Sequence, residues 1–254
     1  MKLRKKKKIP HFTYEYSPEM DEKIDVMLAN LEGNALSVTE ILGELHEIAE
    51  SHPLYPTVFF AIGVTHVFNN EYEDSIRYFT KASKLNPLFI EAMFNNALSH
   101  SKIGDVAGYV KWLDSVVEFG QKDDEIVTQA KISLQEMEEV IKESHGIDVN
   151  TYLKNAKRFK FAQEKMQLRQ WGKAIGIFKS LLKKTPDIPS LWNNIALCYA
   201  NLGEKDQALK YINKALEVEE DYKPAQMNLP GIEQMAEGKP LRSETNWVFG
   251  RSIV

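Results

Sequence analysis

The chain has 254 residues, of which 43% are hydrophobic and 27% are charged, and these proportions are typical of a globular protein. No apolar run approaches the roughly 18 residues that a membrane-spanning helix needs, and no apolar stretch follows the basic N-terminus as a secretory signal would require. The single cysteine, Cys198, excludes an internal disulfide, and we expect a cytoplasmic protein.

The charge is unevenly distributed along the chain. The net charge is −4, yet six of the first eight residues are basic, so the remainder carries −10; the six are Lys2, Arg4, Lys5, Lys6, Lys7 and Lys8. An acidic body is a poor candidate for nucleic-acid binding, which depends on basic surface. Residues 1–16 are therefore interpreted as a basic and aromatic arm. An alternative hypothesis for the function is that this arm tethers the protein to nucleic acid or to an anionic surface.

Helix start signals follow the arm. Ser17, Pro18 and Glu19 combine a capping side chain, a first-turn proline and an acid near the positive end of a helix. Ser37 and Glu40 form a capping-box pattern that opens the next helix.

A period of 34 residues separates Pro53 from Pro87, and each of these prolines ends a helical segment. In the clearest unit, from residue 56 to 89, large and small side chains alternate at helical spacing on two successive segments. These positions are Phe59, Ile62, Gly63 and His66, and then Ser75, Phe79, Ala82 and Pro87.

The same pattern recurs four more times. It is clear in the unit that begins at Pro189, fair in the unit before it, and weaker in the units that begin at Ile90 and Glu22. The matching residues are Trp192, Ile195, Ala196, Tyr199, Gly203, Ala208 and Ala215; Phe161, Ala162, Ala174, Phe178 and Pro186; Met93, Ala97, His100, Gly104 and Leu113; and Leu28, Ala29, Ile41, Leu45 and Pro53. These residues resemble the tetratricopeptide repeat. The resemblance implies an all-α fold, a right-handed superhelix of stacked antiparallel helix pairs.

The repeats predict a domain organisation. Residues 17–123 form three repeats, residues 124–150 a spacer helix and linker, and residues 151–222 two repeats. The spacer could equally be a sixth repeat that has lost its second helix. A capping helix follows at 223–237, interrupted at Pro230 and Gly231, and residues 238–254 form a tail.

The resemblance also implies a binding surface, the concave groove lined mainly by the first helix of each repeat. Positions next to the signature residues are more apolar than ordinary surface, which is typical of a partner site. We expect the groove to be lined by Phe60, Val64, Val67, Phe68, Phe94, Leu98, Phe159, Gln163, Asn193 and Leu197. The alternative is that the helix rotation differs and that the rings at Phe60, Phe94 and Phe159 are core.

No catalytic constellation is recognised: there is no glycine-rich phosphate loop, no HExxH motif and no cysteine pair for zinc. Cys198 is interpreted as a packed core thiol, and His66 and His100 as packing residues. We therefore predict a non-enzymatic scaffold, without a cofactor or metal, that binds a protein or peptide segment in an apolar groove.

Both ends of the chain are rich in aromatic residues, which are costly to leave in water. We expect the segment around Tyr14 and Tyr16 to cap the first helix. We hypothesise that the C-terminal tail, with Trp247 and Phe249, lies in the groove and that a binding partner must displace it. The alternative is a disordered tail that carries a linear motif for another protein.

Overall fold

The computed structural model describes residues 14–32 and 37–240, and these fold into helices without any strand. Helical residues make up more than half of the chain, which confirms the predicted all-α class. The helices are α1 (Pro18–Glu32), α2 (Val38–Ser51), α3 (Pro56–Phe68), α4 (Tyr72–Leu85), α5 (Ile90–Lys102), α6 (Val106–Phe119), α7 (Glu125–His145), α8 (Val149–Gln167), α9 (Trp171–Leu182), α10 (Pro189–Leu202), α11 (Lys205–Val218) and α12 (Lys223–Gln234).

Consecutive helices pack as pairs, and the pairs stack on one another. The pairs α3–α4 and α5–α6 belong to a first compact unit, Met1–Glu139, and the pairs α8–α9 and α10–α11 to a second, Val140–Val254. The boundary between the units falls within α7. In each unit, the second helix of one pair contacts the first helix of the next, namely α4 with α5 and α9 with α10.

Local chemistry explains where the helices begin and turn. Ser37 and Glu40 form the predicted capping box, in which each side chain accepts a hydrogen bond from the other residue's backbone N–H. The turn between α10 and α11 requires a left-handed residue, and Gly203 supplies it with φ +82°. The corresponding position between α3 and α4 is Asn70, with φ +59°, a conformation that asparagine tolerates better than most residues.

The first unit has a continuous apolar core across α1, α2 and α3, which includes Ile24, Leu45 and Phe59. A second cluster joins α5, α6 and the first half of α7 through Met93 and Leu113. A buried hydrogen bond of 2.8 Å from the Ser75 hydroxyl to the Ser99 hydroxyl links α4 to α5 within this unit.

The second unit builds its core from α10, α11 and α12, around Ala196, Ile212 and Ile232. The expected interruption at Pro230 is wrong, because α12 continues through this residue to Gln234. A proline removes the hydrogen bond to the carbonyl four residues earlier, which here belongs to the exposed Gln226 and can be hydrated.

Candidate functional site

Most of the predicted groove residues that remain accessible lie on α3 and α5 of the first unit. Phe68 is 47% exposed and Leu98 is 41% exposed, while Val64 and Val67 are half-buried. Val64 and Leu98 are one 34-residue period apart, so they occupy equivalent places in adjacent repeats. These four side chains form what we call the α3–α5 face, an apolar surface on two neighbouring first helices.

Two predicted groove aromatics on the same helices are half-buried and turn towards the core. The ring of Phe60 lies 5.7 Å from that of Phe79 and 5.0 Å from that of Phe89, measured between centroids. Phe94 packs against the cluster around Leu113. These rings therefore contribute mainly to packing within their repeats.

The second unit buries three of the four groove residues predicted there. Phe159 is 3% exposed, and its ring meets that of Phe178 at 5.4 Å, so it is core and the groove assignment is wrong for this side chain. Asn193 and Leu197 are fully buried on α10, which also contradicts their placement on an open surface. Gln163 is half-buried on α8.

A spacing of 19 residues explains the misplaced aromatics. Phe60 and Phe79, Phe94 and Leu113, and Phe159 and Phe178 are each 19 positions apart, one on the first and one on the second helix of a repeat. A large apolar residue at this distance in three repeats is a sequence signal for an internal pair. It favours the core alternative for all three aromatics.

Buried asparagines on α10 and α12 were missed by the sequence analysis. The Asn228 amide donates a hydrogen bond of 2.9 Å to Asn193 Oδ1, and Asn194 is also fully buried. Burying an amide is tolerated when it finds a hydrogen-bond partner. Here a partner comes from a position 35 residues away, which no local pattern reveals.

A possible metal-binding group lies at the turn between α3 and α4. Ligand atoms of His66, Glu71 and Asp74 lie within 4.8 Å of one another. All three are already engaged: His66 Nδ1 is 2.6 Å from Glu71 Oε2, Asn69 donates to Glu71 Oε1, and Arg77 pairs with Asp74.

The next repeat contains the same histidine–carboxylate pair without a third ligand. His100 Nδ1 lies 2.8 Å from Asp105 Oδ2, and Gly108 stands one period after Asp74. The pair therefore closes the turn of a repeat whether or not a second carboxylate is present. This is the structural role that the sequence indicated for His66 and His100.

Cys198 is fully buried on α10, as predicted for a core thiol. Burial raises the pKa of the thiol to about 12, because an apolar environment disfavours the thiolate. A protonated and inaccessible sulfur is not a nucleophile.

Some predicted elements lie outside the described residues. These are the basic arm at Lys2, Arg4, Lys5, Lys6, Lys7 and Lys8, and the aromatic tail residues Trp247 and Phe249. Of the N-terminal aromatics, Tyr14 and Tyr16 are described and are 42% and 72% exposed. Their neighbour Glu15 donates its backbone N–H to the Leu54 carbonyl, which holds this segment against the turn between α2 and α3.

None of the helices in the described ranges combines the length and the apolar composition that crossing a membrane requires.

Comparison with known proteins identifies repeats in both units. Family models described as tetratricopeptide repeat match residues 56–87 and residues 189–222. No curated protein sequence matches the chain significantly.

Several solved structures are similar at low sequence identity. The TPR2AB domain of yeast Sti1, in its pHSP90 complex, is 17% identical and covers 85% of this chain and 84% of its own, with a TM-score of 0.41. YrrB, titled as a TPR protein with an unusual peptide-binding site, is 16% identical over 82% of this chain and 90% of its own, with a TM-score of 0.36. The P58(IPK) TPR domain is 16% identical over 84% of this chain and 64% of its own, with a TM-score of 0.44.

Proposed function

This chain is a tetratricopeptide-repeat protein, and from that premise we propose that it is a non-enzymatic scaffold that holds a segment of another protein. Stacked helix pairs of this kind offer an extended surface on which a peptide can lie. The cytoplasmic location that the sequence suggests stays a prediction.

The α3–α5 face is the proposed binding site. The observation that carries the proposal is the exposure of Phe68 and Leu98, at 47% and 41%, on the first helices of two adjacent repeats of one unit. Half-buried Val64 and Val67 extend the apolar surface along α3. Large apolar side chains that are close together on a surface are typical of protein-binding sites, because a partner removes them from water.

A peptide-display selection against the full chain tests this site. We expect selected peptides to carry large apolar anchors, and the double variant Phe68→Asp, Leu98→Asp to weaken their binding by about 2 kcal/mol or more, since a buried unpaired carboxylate is costly. Met227→Asp is the matched control, because Met227 is 66% exposed but lies on α12 of the other unit. Equal affinity of both variants would refute the α3–α5 face as the site.

We also propose that residues 241–254 act as an internal occupant of the inner side of α10. Two features support this. The Gly238 N–H donates to the Gly203 carbonyl at 2.9 Å, so the described chain ends beside the C-terminal end of α10. Leu197, at a groove position of that helix, is fully buried. Fourteen residues reach at most about 3.5 Å each, which exceeds the length of α10.

Truncation after Pro240 tests the occupant. We expect amide hydrogen exchange in α10 to accelerate, because the proposed occupant would no longer cover the inner side of this helix. Unchanged exchange in α10, together with fast exchange throughout residues 241–254 of the parent, would favour the alternative of a linear motif for another protein.

A second candidate function rests on the basic arm. Six positive charges in the first eight residues attract polyanions in a salt-dependent way. Deletion of residues 1–8 should abolish any salt-sensitive binding to RNA or anionic vesicles, and retention of that binding would exclude the arm.

A further inference from the structure

The α8–α9 helix pair is strongly basic although the whole chain is acidic. Residues 149–186 contain ten lysines and arginines and a single carboxylate, Glu164, which is a net charge of +9. Residues 14–139, in contrast, contain 23 carboxylates and eight lysines and arginines, a net charge of −15. The total of −4 hides this separation, and this helix pair carries the basic charge that an anionic ligand requires.

The positive charges form a connected surface on the outer sides of both helices. Lys154, Arg158 and Lys165 recur at helical spacing along one side of α8. Arg158 donates a hydrogen bond of 2.6 Å to the Ser180 hydroxyl, which joins this stripe to the outer side of α9. We call the surface the α8–α9 basic face; its charged members are Lys154, Arg158, Lys165, Lys173, Lys183 and Lys184.

These charges lack compensation within the described part of the chain. None of the ten cations of residues 149–186 forms an ion pair with a described carboxylate. Lys154 and Arg158 are four residues apart on α8, a spacing at which like charges destabilise a helix. An anionic ligand would relieve this repulsion.

Exposed apolar side chains are interspersed among the cations. Phe161 is 47% exposed and lies on the same side of α8 as Lys154 and Lys165. Leu168, which caps the C-terminal end of α8, is 63% exposed. Lys165 Nζ lies 4.4 Å from the centre of the Phe161 ring. A ligand that matches this surface needs apolar groups between its negative charges.

The outer side of α9 allows close approach of another chain. Gly172 and Gly176 are exposed, and within the described part of the chain no atom beyond the local helix backbone lies within 4 Å of the place where either would carry a Cβ. Glycine weakens a helix relative to alanine, and packing within this chain gives no reason for it here. Lys173 lies between the two glycines, and Lys183 follows at the end of α9.

We propose that the α8–α9 basic face binds a short acidic segment of a partner protein, with apolar side chains between its carboxylates. We expect the segment to be short because the same unit is acidic elsewhere. Four carboxylates lie at and just after the end of α11: Glu217, Glu219, Glu220 and Asp221. A long polyanion such as RNA would also leave Leu168 without an apolar partner.

This inference rests on the proposed scaffold function in one respect, that the ligand is a segment of a protein. It does not depend on the α3–α5 face, because the basic face consists of residues of α8, α9 and the turns that follow them. On α8 itself, the former groove candidate Phe159 points to the other side of the helix, against Phe178.

Fluorescence anisotropy with labelled 12-residue peptides tests the proposal on the full chain. One peptide alternates glutamates with leucine and phenylalanine, a second contains glutamate and serine only, and a third probe is a single-stranded RNA of equal length. The triple variant Lys154→Glu, Lys165→Glu, Lys173→Glu should weaken binding of the first peptide about tenfold or more. The matched control Lys210→Glu, Lys223→Glu, Lys239→Glu makes the same charge change at exposed residues of the same unit and should cost about threefold or less, because its charges act at a distance.

A second variant separates the apolar contribution from the charge. Leu168→Ser should weaken binding of the apolar-acidic peptide and leave the glutamate–serine peptide unaffected. Circular-dichroism melting of each variant verifies folding. Equal effects of both triple variants, no saturable binding of either peptide at low salt, or tighter binding of RNA through the same lysines would overturn the proposal. The variant Phe68→Asp, Leu98→Asp should retain the acidic peptide, so failure of the α3–α5 face and failure of the basic face are distinguishable.

Discussion

Gly63 on α3 lies so close to Phe79 on α4 that a methyl group on its Cα would come within 2.6 Å of the ring atom Cε1. Phe79 is fully buried, so its ring has no free space into which it can move. The contact sets the distance between the two helices of this repeat. Phe60 of α3 also packs against the Phe79 ring, at 5.7 Å between centroids, so the same ring contacts α3 at two positions.

Gly63→Ala should destabilise the first unit by about 1–3 kcal/mol, since overpacking forces side chains or helices apart. Gly176→Ala is the control, because open space surrounds this position, and it should stabilise the protein by about 0.5–1 kcal/mol through helix propensity. Urea unfolding measures both. A neutral Gly63→Ala variant would show that the two helices are farther apart in solution.

The next repeat repeats this constraint with a different residue pair. A Cβ at Gly108 would lie 2.0 Å from His100 Nδ1, and Asp105 holds that imidazole at 2.8 Å. Gly108→Ala should therefore cost about 1–3 kcal/mol, and the cost should shrink by about 1 kcal/mol or more in a His100→Ala background. A double-mutant cycle measures this coupling, and strictly additive effects would exclude the contact.

The repeats were predictable because their spacing is a property of the sequence alone. Proline and small-residue positions 34 apart indicated the helix pairs, and the capping box at Ser37 and Glu40 indicated where α2 begins. The direction of each side chain was less predictable, because one residue corresponds to about 100° of rotation around a helix. Phe159 illustrates this. Its place in the repeat predicts a groove position, but its side chain belongs to the core, where it packs against Phe178.

The polar core of the second unit could not be predicted for a different reason. A polar amide such as Asn193 normally indicates surface, and its burial is favourable here because it hydrogen-bonds to the side chains of Asn194 and Asn228. The basic face was also missed. Its charges were averaged into a chain whose first unit is strongly acidic, and the charge of each helix pair was not considered separately.

Cys198 should be unreactive towards thiol reagents in the folded protein between pH 7 and pH 9. Its pKa of about 12 keeps the sulfur protonated, and the side chain is fully buried. Unfolding should release one reactive thiol, which makes the labelling rate a measure of opening around α10. Labelling of the native protein at the rate of a free cysteine would contradict this burial.

The raised pKa of Cys198 also predicts how stability depends on pH. The unfolded thiol ionises near pH 8.5 and the folded thiol does not, so the unfolded state binds fewer protons above that pH. Stability should therefore fall between about pH 8.5 and pH 12 because of this group. Cys198→Ala should show a smaller fall over the same range, and parallel curves for the two proteins would show that the thiol does not contribute.

The hydrogen bond from Asn228 to Asn193 should be important for the stability of the second unit. Both amides are almost fully buried, so Asn228→Ala removes a donor and leaves buried polar groups less well satisfied, at a cost of about 1–3 kcal/mol. The adjacent control Met227→Ala alters a side chain that is 66% exposed and should change stability by less than about 0.5 kcal/mol. Urea unfolding gives the free energies, and hydrogen exchange should show that Asn228→Ala increases opening of α12 specifically. The prediction would be wrong if the two variants were equally stable and amide hydrogen exchange in α12 matched that of the parent. The amide pair would then not form in solution, and α12 would pack on α10 through apolar contacts such as those of Ala225 and Ile232.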